Sequence, residues 1–191
     1  MLEYLDLHLL SVFKVNFWNL SRATGIVAYL FLLLAIVSGL LSKTKILLSV
    51  GFASIFSDVH RKSACASFYF VIFHALILSY DDYIKLTLID LFIPFQSTYQ
   101  SINMSMGILA FYGIILVIGS MFFLGGRVFG YWHFLTYPVY FLALWHGINI
   151  GTDSPAEWMQ MIYWSTGSLI VIASIYRIIV SIKGFYRSIE T

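Results

Sequence analysis

The apolar positions of this chain come in long unbroken runs separated by short polar stretches, with neither strict alternation nor a narrow amphipathic stripe. Runs free of charged residues occupy residues 23–42, 63–80, 91–126, 128–152 and 158–176. About 20 apolar residues cross a hydrocarbon layer about 30 Å thick, so each run predicts one crossing. Pro94 and the polar residues 96–103 shorten the third run, leaving a helix expected at 104–124. Lipid offers the backbone no hydrogen-bond partner, and these runs lack the period-two pattern of a barrel strand, so the crossings are helices. The expected fold class is an all-α membrane protein built as a bundle of five transmembrane helices.

Residues 1–20 read differently. Leu2, Leu5, Leu9, Phe13 and Phe17 recur at helical spacing but are interrupted by Glu3, Asp6, His8 and Lys14. The pattern predicts an N-terminal amphipathic helix on the membrane surface, with a sixth span as the alternative. His8 is then expected to be solvated, or to touch an external substrate. Residues 83–100, with the apolar core LTLIDLFIPF, are expected to fold over one mouth of the bundle as a lid. The organisation read from the sequence is a surface segment at 1–20, a membrane domain at 21–183 and a short tail at 184–191.

Composition agrees. Of 191 residues, 60% are hydrophobic and only 10% charged, which excludes a water-soluble globule. Disordered chains are polar and highly charged, so disorder is excluded too. The N-terminus lacks the basic start and small-residue cleavage site of a secretory signal, so no removed leader is expected. One cysteine, Cys65, permits no internal disulfide and no thiolate zinc site, so any metal must be held by histidine or carboxylate. The net charge of +2, spread along the chain, does not make a nucleic-acid surface.

Charge also orients the bundle. Lys43, Lys45, Arg61, Lys62, Arg127, Arg177, Lys183 and Arg187 fall at one end, with only Asp58 and Glu190 against them. The other end carries Glu3, Asp6, Asp81, Asp82, Asp90, Asp153 and Glu157, with Lys14, Arg22 and Lys85. Cytoplasmic loops are rich in Lys and Arg, which predicts a multi-pass protein of the cell (inner) membrane with its N-terminus outside and its C-terminus in the cytoplasm. The second and fourth spans then run in the same direction.

Those two spans hold four of the five histidines. Ionisable side chains within a membrane span are costly and normally face the interior, which makes each a functional candidate. His60 and His74 are 14 residues apart in the second span, and His133 and His146 are 13 apart in the fourth. At 1.5 Å per residue these separations are about 21 and about 20 Å, so His60 shares a depth with His133 and His74 with His146. Two layers of facing imidazole pairs are expected, the arrangement that holds haem iron from both axial sides.

The proposed ligands carry a geometric demand. Thirteen residues leave the two histidines of a straight fourth span about 140° apart. That span must be distorted, and Pro138, between the two histidines, is the expected cause. Arg22, Arg61, Lys62 and Arg127 are the candidate partners for haem propionates, their alternative role being charges that set topology. Phe70, Phe73, Trp132, Tyr137, Tyr140, Phe141 and Trp145 are expected either to pack on haem or to form ordinary core.

The segments WNLSRATGIVAYLFLLLAIVSGLL, VHRKSACASFYFVIFH, WHFLTYPVYFLALWHG and GTDS carry a resemblance. Together they resemble the ferric reductase-like transmembrane domain, the superfamily of eukaryotic NADPH oxidases, yeast ferric reductases and the membrane cytochrome of bacterial methionine sulfoxide repair. The likeness covers about residues 18–177, including an Arg-x-Thr-Gly signature at Arg22 to Gly25. It implies two b-type haems, with His60, His74, His133 and His146 as axial ligands. The oxidases and yeast reductases usually continue into flavin and nicotinamide domains, and no Gly-rich dinucleotide fingerprint occurs here. The first of six spans common in the family is replaced by the charged segment 1–20.

The expected function is a stand-alone di-haem cytochrome, the electron-transfer part of an oxidoreductase system. FAD or FMN and NAD(P)H are expected only on a cytoplasmic reductase partner, with ferric iron, oxygen, a quinone or a protein as external acceptor. The rival readings are a histidine-lined proton or divalent-metal transporter, short of acidic residues in its spans, and a structural subunit, which leaves the matched spacings without a cause.

Overall fold

A computed structural model describes residues 16–43, 48–49, 51–81, 86–124 and 126–189, with the side chains of 126, 127, 177 and 181–189 outside that description. The described residues are helical, in the order α1 (Phe17–Leu41), α2 (Ala53–Leu78), α3 (Leu88–Phe92), α4 (Ser101–Phe123), α5 (Gly126–His133), α6 (Thr136–Ile150) and α7 (Glu157–Ile189). By length and composition, four helices are able to cross a bilayer: α1, α2, α4 and the stretch Glu157–Val180 of α7. This is the architecture of a multi-pass membrane protein. Large apolar side chains point outward, among them Tyr69, Phe122, Phe123, Trp164 and Ile172. Such a surface is a liability in water and ordinary in lipid.

Helix α1 begins at Phe17, capped by the Asn16 side chain accepting from the Asn19 N–H, so the end of the expected surface segment belongs to the first span. The remainder of that segment, with His8, lies outside the described residues. A row of small residues lets α1 approach α2 closely: Ser21, Thr24, Ala28, Ala35 and Ser38 are all buried. Their hydroxyls are satisfied locally, as where Thr24 donates to the Leu20 carbonyl at 2.9 Å. From the facing helix, buried Ser67 donates to the Ala28 carbonyl at 3.0 Å. Helices α4 and α6 pack as a second such pair, with Gly113 against Val139.

The expected fourth span is two helices. Helix α5 stops at His133 and α6 restarts at Thr136, with Pro138 in its first turn, where a missing N–H is tolerated. Around the break, Phe134 bonds back to Tyr131, Leu135 to Trp132 and Tyr137 to Phe134, all three residues away. Residues closed by such bonds advance about 120° each instead of about 100°. At the break this turns the helix in the sense that the histidine spacing demands. The distortion is therefore overwinding ahead of the proline, at Phe134 and Leu135.

Residues 86–100 close one end of the bundle. Thr87 caps α3 and its hydroxyl donates to Asp90 at 2.6 Å, which holds that carboxylate below its usual range. Leu86 and Leu91 pack on Met104 of α4, with Leu78, Tyr99 and Ile150 around them. The expected cover over the mouth is present in these residues. It is fixed to α4 where buried Ser105 accepts from the Phe95 N–H at 2.6 Å, and Phe95 holds a left-handed backbone with φ 65°. A central cluster joins α1, α6 and α7 through Tyr29, Leu32, Ile36, Tyr140, Met159, Tyr163 and Ile170.

Candidate functional site

His60, His74, His133 and His146 meet in two pairs. The ring centroids of His60 and His133 are 5.7 Å apart with planes at 71°, and those of His74 and His146 are 6.4 Å apart at 82°. Helix α2 contributes one ring to each layer. The broken α5–α6 segment contributes the other two, which a straight helix of that spacing would have turned apart.

Three of the rings have a defined proton. His60 Nδ1 lies 2.7 Å from the Ala35 carbonyl oxygen, His74 Nδ1 2.8 Å from that of Ser21, and His146 Nδ1 2.8 Å from that of Asn103. A carbonyl oxygen only accepts, so each Nδ1 carries the hydrogen and each Nε2 is left with a bare lone pair. Fixing one ring nitrogen in this way is what prepares the other as a ligand.

The same three rings rest on glycines. A Cβ on Gly39 would stand 2.8 Å from His60 Nδ1, one on Gly107 2.6 Å from His146 Nδ1, and one on Gly25 3.1 Å from His74 Nδ1. Each glycine lies one helical turn after the carbonyl that its histidine bonds: Ala35 before Gly39, Ser21 before Gly25, Asn103 before Gly107. The sequence reading missed these glycines. A signal was present, because Gly25 and Gly39 are 14 residues apart, the separation of His74 and His60 on the antiparallel neighbour.

The His74–His146 layer opens into a cavity of about 210 Å³ lined chiefly by apolar side chains of α1, α2, α4 and α6 and by Leu91 and Tyr99 of the cover. Arg22 and Asp153 stand at its rim. Arg22 binds Asp153 through two nitrogens, the Nε contact being 2.9 Å, and also reaches Asn19 at 3.1 Å. Its guanidinium is thus already held by a carboxylate. Arg61 pairs with Asp58 on the exposed surface, Lys62 is exposed, and the Arg127 side chain lies outside the described residues.

The aromatic residues divide. Tyr140 is fully buried, stacks on Tyr29 and bonds its hydroxyl at 2.5 Å, while Phe70 stacks on Phe31. Phe73, Trp132, Phe141 and Trp145 instead lie at the exposed surface, which corrects the expectation that they line the pairs. From there Trp145 donates its indole N–H to Asn103 Oδ1 at 3.2 Å.

Comparison of the sequence with family models and curated proteins, and of the fold with solved structures, finds no match. Among the described residues no three histidine, cysteine or acidic side chains gather as a cation site would require. The chemistry available is that of two isolated imidazole pairs, with Nδ1 bonded to a backbone carbonyl in His60, His74 and His146.

Proposed function

We propose that this chain is a di-haem b-type transmembrane cytochrome, with His60 and His133 as axial ligands of one haem and His74 and His146 of the other. The observation that carries the proposal is the pairing of the rings across the bundle at two depths. A porphyrin supplies four equatorial nitrogens, so two facing imidazoles complete its iron without a third protein ligand. When bound, each group would supply one reversible one-electron step between ferric and ferrous iron. The Nδ1 bonds to Ala35, Ser21 and Asn103 would hold three ligand rings in orientation, and the apolar walls would keep water from the His74–His146 layer.

In this reading α5 and α6 together make the fifth crossing, and the basic end of the bundle faces the cytoplasm. Electrons pass from a cytoplasmic flavoprotein reductase to an external acceptor near the cover and the turn 151–156. The resemblance of the Arg-x-Thr-Gly and paired-histidine segments to the ferric reductase-like domain supports the same assignment. A transported divalent cation would need additional protein oxygen or nitrogen ligands around each pair, which makes that alternative the weaker one.

An absorption spectrum tests it. Purified protein is expected to show a Soret band that shifts on dithionite reduction, and His74→Ala or His146→Ala should each remove the same half of the haem. A preparation that stays colourless after incubation with haem would refute the proposal. Additive losses in the two variants would refute the pairing.

A further inference from the structure

Three of the four ligand rings sit in one repeated seat: a carbonyl that accepts from Nδ1, and one turn later a glycine whose missing side chain leaves room for the ring edge. The fourth ring is supported differently. Helix α4 reaches the depth of His133 with Gly119, but 12 residues turn it about 120° from the face of Gly107, and a Cβ there would meet nothing within 4 Å. His133 leans on Phe129 of its own helix, with ring centroids 5.2 Å apart. It is also the last residue of the eight-residue α5, directly before the break, whereas His146 lies within the unbroken 15-residue α6.

We infer that Gly25, Gly39 and Gly107 are positioning residues for the imidazoles of His74, His60 and His146. The glycines act through the rings they seat. An added methyl at Gly39 or Gly107 comes too close to a ring nitrogen for both to stay, so the ring swings and loses its carbonyl. Gly25, whose neighbour is slightly farther, is the mildest site. The inference deepens the di-haem reading and depends on it only where haem is the probe.

The first measurement needs no haem. In haem-free protein labelled with ¹⁵N-histidine and held in lipid nanodiscs, His60, His74 and His146 should show protonated Nδ1 bonded to an acceptor. Gly107→Ala should shift the His146 signals alone and Gly39→Ala those of His60. Gly25→Ala should give a smaller change at His74, and Gly119→Ala none. Wild-type rings protonated at Nε2 overturn the inference whether or not any variant folds. So do glycine variants that leave all three rings unmoved.

The second measurement follows haem transfer from loaded protein to excess apomyoglobin. Losing outer support of a ligand ring typically weakens a metal site by about 10–100-fold. In Gly107→Ala half of the haem should leave about tenfold faster than in wild-type protein, and Gly119→Ala should release it at the wild-type rate. Unchanged release from both Gly107→Ala and Gly39→Ala would overturn the positioning role. If the ring signals behave as described while wild-type protein takes up no haem, the seats stand and the cytochrome assignment falls.

Discussion

Replacing Thr166 with valine should destabilise the bundle more than removing either tyrosine hydroxyl that meets it. Thr166 donates its one proton to the Ile162 carbonyl at 2.6 Å, so its oxygen is free to accept. Tyr29 lies 2.5 Å from Thr166 and 2.5 Å from Tyr140, and Tyr140 is itself within reach of Thr166. Two phenolic protons therefore need two acceptors, and the Thr166 oxygen is one of them. In Thr166→Val one phenol donates to the other and the second proton has no acceptor, inside a cluster where Tyr140 has no exposed surface. An orphaned buried donor costs about 1–3 kcal/mol, whereas Tyr29→Phe or Tyr140→Phe removes one bond and leaves the remaining phenol paired with Thr166. Interhelical hydrogen bonds in membranes average about 0.6 kcal/mol, which sets the expected cost of the two phenylalanine variants.

Valine has nearly the shape of threonine, so packing does not confound the comparison. Reversible unfolding of the four proteins in mixed detergent and dodecyl sulfate micelles, followed by circular dichroism, supplies the ranking. Thr166→Ser, which keeps the hydroxyl, should recover most of the loss. A Thr166→Val protein no less stable than Tyr29→Phe and Tyr140→Phe would refute the proton count. The cluster matters for the site because Tyr140 lies almost midway between His133 and His146 and ties α6 to α1 and α7.

Pro138→Ala restores an N–H able to bond the Phe134 carbonyl, which favours a continuous helix and turns His133 away from His60 by up to about 140°; haem content should fall by half with the His74–His146 layer intact, and a full complement in both layers would show that the break does not depend on the proline. For Arg22 and Asp153, whose side chains are 35% and 21% exposed, a double-mutant cycle with Arg22→Gln and Asp153→Asn should give a coupling of about 0.5–1 kcal/mol that shrinks with added salt; coupling insensitive to salt would mean that the contact acts through shape instead of charge.

Much of the fold was legible because membrane helices announce themselves by length and apolarity, and solvent cannot blur the signal. The positions of α1, α2, α4 and α7 follow from that alone. Boundaries were less legible: α1 starts at Phe17 behind its Asn16 cap, ahead of the charge-free run, and it carries Arg22, whose partner Asp153 lies 131 residues away where no local pattern reveals it. The break between α5 and α6 was legible as a necessity, since two inward histidines 13 residues apart cannot share a straight helix. Its place was not. A proline is tolerated in the first turn, so the helix fails ahead of it, at residues that carry no breaker signal themselves.

The histidine pairs were readable from spacing and direction, but their support depended on a second spacing in the partner helices. Antiparallel helices of equal rise keep equal separations, so glycines 14 apart on α1 present themselves to histidines 14 apart on α2. The correspondence fails on α4 for the reason that the fourth span is broken. Overwinding moved His133 onto the inward face but left straight α4 with no glycine turned toward it, since Gly107 and Gly119 do not share a face. A one-residue difference between 14 and 13 is thus answered by a local repacking of one helix, and the glycine spacing that seats two rings on α1 has no counterpart on α4.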